Sequence, residues 1–62
     1  MKNYKYYYKS DTNKEIVGRV EAEFLNEAII KAAINKNLSY SKFIELFDVE
    51  EITNERNNER NN

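Results

Sequence analysis

Acid–base chemistry in this chain can only come from Asp, Glu, Lys and Tyr, because the sequence holds no His and no Cys. A Ser-His-Asp or Cys-His relay therefore cannot be assembled, and the usual ligands of zinc and haem are missing. Glu21 and Glu23 are the first acidic pair to consider. They fall on one face of an alternating stretch, and neighbouring carboxylates can serve as acid and base or hold a hard cation. On an open strand surface with no pocket around them, solvated charges are the simpler reading. Asp48, Glu50 and Glu51 form a second acidic group, without the Asp-x-Asp-x-Asp-Gly spacing of a calcium loop. Gly18 is the only glycine, so no glycine-rich phosphate loop is present. No catalytic, cofactor-binding or metal-binding residue is expected, and the chain reads as a non-enzyme.

The basic and aromatic residues allow a different kind of chemistry. Residues 1–19 carry Lys2, Lys5, Lys9, Lys14 and Arg19 against Asp11 and Glu15, a balance of +3, while the remainder carries −4. Lys5, Tyr7 and Lys9 alternate along one strand face with Arg19 beside them, a pattern able to stack bases and track phosphates. The same face also receives Glu21 and Glu23, which can pair with those lysines across strands. Tyr7 is expected to face outward near Val17 and to serve as an exposed contact anchor, since tyrosine is enriched at binding hot spots. A second candidate surface, Glu45, Asp48, Glu50 and Glu51, is interleaved with Phe43, Phe47, Val49 and Ile52 and suits a basic patch on another protein.

These residues need elements to position them. Tyr4, Tyr6 and Tyr8 alternate from Asn3 to Lys9, as do Ile16, Gly18, Val20 and Ala22 from Glu15 to Glu23. The polar cluster Ser10-Asp11-Thr12-Asn13-Lys14 between them predicts a β-hairpin. Tyr4, Tyr6 and Tyr8 are expected in the core, lying over Ile29, Ala32 and Ala33. From Leu25 to Asn37 the period becomes helical. Glu27, Lys31 and Asn35 form a polar stripe, and the rest of the surface is broadly apolar. A short helix from Tyr40 to Phe47 follows, with Ser39 or Ser41 as N-cap. Asp48 marks a break, and Val49 and Ile52 are read as one further helical turn that opens with Glu50 and Glu51. That turn is too acidic to act as a recognition helix in a phosphate-lined groove.

The fold class is therefore α+β, a ββαα arrangement over residues 1–53, followed by a polar tail over 54–62 that repeats Asn-Glu-Arg-Asn and is expected to be disordered. In size and layout it is similar to small phage-encoded ββα inhibitors, among them dimers that block uracil-DNA glycosylase with acidic surface. No motif is shared, so no residue role follows. A hairpin alone is marginal in water, and 62 residues leave little surplus over ordering entropy. Homodimerisation would relieve both problems, with Ile30 and Ile34 as the interface residues that border the polar stripe. No span long enough for a bilayer and no apolar leader is seen, so a cytoplasmic location is expected. Asn, Lys, Ile and Tyr have AT-rich codons, which suits a low-GC bacterium or its phage. The functional expectation is a small module, without cofactors, that binds and regulates or inhibits another protein, with host machinery met by a phage or mobile element as the expected target. The alternative is a nucleic-acid-binding protein using the Lys/Tyr-rich first strand.

Overall fold

The computed structural model describes residues 1–53 of the chain. The expected tail lies outside the described residues. Strands β1 (Lys2–Tyr8) and β2 (Gly18–Ala22) are followed by helices α1 (Leu25–Asn35) and α2 (Tyr40–Leu46), and the order closes with strand β3 (Phe47–Ile52). The three strands form one antiparallel sheet in the order β2-β1-β3. The α+β class stands, but the order is ββααβ.

β3 is the main correction. Residues 49–52, expected as a helical turn, instead pair with β1, from Tyr8 opposite Phe47 to Asn3 opposite Ile52. Phe47 caps α2 with extended dihedrals (φ −123°, ψ 153°), so helix passes into strand without a loop. A strand paired only with β2 would leave half of its backbone groups unmatched. Pairing with β3 satisfies the other side, and β-branched Val49 and Ile52 suit that geometry.

The hairpin connection is longer than expected, because β2 begins at Gly18 rather than Glu15. Asp11 organises it. Its carboxylate accepts from the N–H groups of Asn13 (3.0 Å) and Glu15 (3.1 Å), and its carbonyl accepts from Lys14 N–H. Lys14 takes a left-handed conformation with φ 53°. α1 stops at Asn35, two residues earlier than the periodicity predicts. Asn37 is left-handed (φ 62°); its N–H bonds Ile34 O, and Leu38 N–H reaches back to Ala33 O. That pair of bonds closes the helix in the manner usually served by glycine, and Leu38 then packs onto the core. Ser39 caps α2 by accepting from Lys42 N–H at 3.2 Å.

Both helices cover one sheet face. Tyr6, Ala32, Ala33, Phe43 and Phe47 form the main core, with Val20, Ile29, Leu38 and Val49 packed against it. Tyr4, Ala22 and Ala28 form a second cluster. Tyr6 packs with Ala32 and Ala33 as expected, whereas Tyr4 packs with Ala28 and Ala22 instead. Tyr8 departs from expectation. It lies at the strand's end, stacked on Phe47 at 4.3 Å, and remains 42% exposed.

Gly18 is required by packing rather than by backbone conformation, since a Cβ there would lie 2.6 Å from Cζ of Tyr6. Gly18→Ala is expected to destabilise the fold by about 1–3 kcal/mol through overpacking. Urea denaturation followed by circular dichroism measures this, and an unchanged midpoint would mean that the Tyr6 ring moves aside freely.

Candidate interaction surface

The sheet face opposite the helices collects residues from all three strands. By register, Lys5 stands between Arg19 on β2 and Glu50 on β3, Asn3 between Glu21 and Ile52, and Tyr7 beside Asp48. The two surfaces expected separately from the sequence therefore meet in part. Asp48 and Glu50 of the acidic group share a face with Lys5, Tyr7 and Arg19. β3 brings them together, and reading that segment as helix concealed the meeting. The alternation of Phe47 and Val49 with Asp48 and Glu50 was the signal for it.

Glu50 is the organising acceptor. Its carboxylate takes a hydrogen bond from Tyr7 Oη at 2.7 Å and lies 3.8 Å from Lys5 Nζ. Lys5 and Glu50 are each partly exposed, so their ion pair adds direction more than stability. Tyr7 corrects an expectation. Although it belongs to the outer face, its side chain is only 3% exposed, with Lys14 Nζ 5.9 Å from the ring centroid. It cannot act as a protruding anchor or offer a free face to a base. Val17, at the entry to β2, donates its N–H to Tyr6 O at 2.8 Å and keeps its side chain 38% exposed.

The remaining expected residues lie elsewhere. Glu45 sits in the helix layer and pairs with Lys42 at 3.4 Å. Glu51 is exposed and opposite Tyr4, so its side chain starts from the helix-bearing side of the sheet. Glu23 lies just beyond β2, where its N–H donates to Glu27 Oε1 at 3.1 Å in the approach to α1. Among the described residues no group of three or more acidic, His or Cys side chains is placed to hold a metal ion. None of the helices they form is long and apolar enough to cross a membrane. Ile30 and Ile34 project from α1, 47% and 69% exposed. Beside Ile34 a groove runs between α1 and β2, lined also by Val20, Glu21, Lys31 and Asn35.

The bond to Glu50 pushes the Tyr7 phenol up to about 12, with burial and the charges of Glu50 and Asp48 acting in the same direction. The fold thus favours the protonated phenol. Its contribution to stability is complete below pH about 10 and is lost as pH rises from about 10 to about 12. Glu50→Gln is expected to return the Tyr7 titration toward 10, and Tyr7→Phe to delete that late component from the tyrosinate absorbance curve. A curve unchanged by Tyr7→Phe would place the late titration on another tyrosine.

Comparison of the chain with protein-family models, curated proteins and solved structures finds no match.

Proposed function

We propose that the chain is a small non-enzymatic interaction module, acting as a homodimer in the cytoplasm, that binds and regulates or inhibits another protein. Its setting is a phage or mobile element, and its target belongs to the host's machinery. The observation that carries this reading is the shared sheet face, where register sets Lys5 and Arg19 beside Asp48 and Glu50. A fixed pattern of both signs selects a partner and steers encounter more than it adds affinity. Tyr7 is poorly suited to proton transfer near neutral pH, because Glu50 holds its proton in place.

The alternative use of the first strand, nucleic-acid binding, has less support. Lys5 already faces Glu50, and the Tyr7 ring is buried rather than available for stacking.

The test is capture from a low-GC bacterial lysate with the tagged full chain, with and without nuclease. Wild type is compared with the variant Asp48→Lys, whose exposed carboxylate belongs to the shared outer face. The expected result is one protein retained after nuclease treatment, with recovery reduced roughly tenfold by charge reversal. Recovery that disappears with nuclease and falls steeply with salt would favour nucleic acid. In that case Lys5→Glu with Lys9→Glu should abolish binding.

A further inference from the structure

β2 is an outer strand of the sheet, and its backbone register can be read from the bonds around it. Lys9 N–H donates to Leu46 O at 2.9 Å, which continues the register between β1 and β3 by one residue. Because hydrogen-bonded pairs alternate along an antiparallel ladder, odd-numbered residues of β1 exchange bonds with β3 and even-numbered ones with β2. The bond from Val17 N–H to Tyr6 O agrees with this assignment. On β2, Gly18, Val20 and Ala22 therefore turn their backbone groups to β1, and Arg19 and Glu21 turn theirs outward. The contact at Glu21 agrees as well, for its carbonyl accepts from Lys31 Nζ at 2.6 Å.

Side-chain chemistry then selects one register. Centring the two-fold axis on Val20 sets each Arg19 opposite Glu21 of the second copy, with both outward-facing backbone pairs matched. Moving the axis by one residue in either direction, a slide of two residues between the strands, centres Arg19 on Arg19 or Glu21 on Glu21, and like charges directly opposite each other are unfavourable. In the favoured register the two Val20 side chains meet on the helix side, next to the groove where Ile34 is exposed. The other outer edge, β3, carries Asp48, Glu50 and Glu51 and would oppose acid to acid in a symmetric pairing. We infer that two copies of this chain join antiparallel through β2, with Arg19 and Glu21 paired reciprocally and Ile30 and Ile34 of each α1 flanking the axis. The two three-stranded sheets become one continuous sheet with β3 at both ends. This rests on the homodimer in the proposed function and assigns its surface.

Lys31 is the competing element. Its ammonium occupies the Glu21 carbonyl that the second copy's Arg19 N–H would use, and a lysine on an edge strand's acceptor guards against pairing. It also lies 3.9 Å from Glu27 on its own helix, to which it can turn when displaced. The dimer is thus expected to form at a concentration that Lys31 sets.

Sedimentation velocity and light scattering on the purified full chain test this, with circular dichroism to confirm that each variant is folded. Wild type is expected to be dimeric. Arg19→Glu and Glu21→Arg each place like charges opposite each other and should give monomers, whereas the double variant Arg19→Glu/Glu21→Arg restores opposite pairing and should recover the dimer. Ile34→Glu, at an exposed site that leaves the core intact, should also give a monomer. Lys31→Ala should tighten association several-fold. A wild type that stays monomeric at every accessible concentration would overturn both this inference and the homodimer. Single charge variants that remain dimeric, or a double variant that remains monomeric, would overturn the β2 register alone. Arg19 also belongs to the partner-facing side of the sheet, so the dimer variants are read by mass alone and partner capture is read separately through Asp48→Lys.

Discussion

Tyr6 stands in the middle of the central strand with its ring over Gly18 and edge-on to Phe43 and Phe47, at 5.6 and 5.8 Å. Phe43 and Phe47 themselves stack at 4.7 Å. This cluster joins β1 to β2 through the missing glycine side chain, to α2 through Phe43 and to β3 through Phe47. Edge-to-face aromatic pairs add to the area they bury, and a chain this short has few other large side chains to bury. Placing Phe43 and Phe47 on either side of the helix-to-strand change lets the chain return along β1 without a loop. The sheet gains its third strand as a result of this packing.

The outer face follows from that third strand. Once Phe47 and Val49 turn toward the helices, alternation sends Asp48 and Glu50 to the opposite side. Glu50 then arrives beside Lys5 and within hydrogen-bonding distance of Tyr7. One carboxylate from the end of the domain orders two side chains near its beginning. The face presents charges in a set arrangement, and the phenol that could have projected from it is drawn into the sheet surface.

Three local sequence features were enough to place the hairpin, α1 and α2: tyrosine alternation, a polar turn rich in Asp and Asn, and a change to helical spacing after Phe24. Ser39 was legible as a cap, and the pairing of tyrosines with helix alanines was legible from size alone. The segment 47–52 was not. Its apolar residues fit both a helical and an extended period over so short a run, and the extended form is stabilised by partners about 39 to 49 positions away. The missed meeting of the charged surfaces and the missed hydrogen bond of Tyr7 descend from that one ambiguity, since Glu50, which holds the Tyr7 hydroxyl, comes from β3.

By itself, the sequence determined the chemistry available and the local elements: which side chains alternate, where helices begin, and the exclusion of His- and Cys-based sites. These depend on residue type and on neighbours within a few positions. Tertiary structure alone decided the strand order, the burial of Tyr7, the role of Glu50 and which strands form the edges of the sheet. Each of these depends on which distant backbone satisfies β1's second row of donors and acceptors, a choice that packing around Tyr6 makes and local periodicity does not encode.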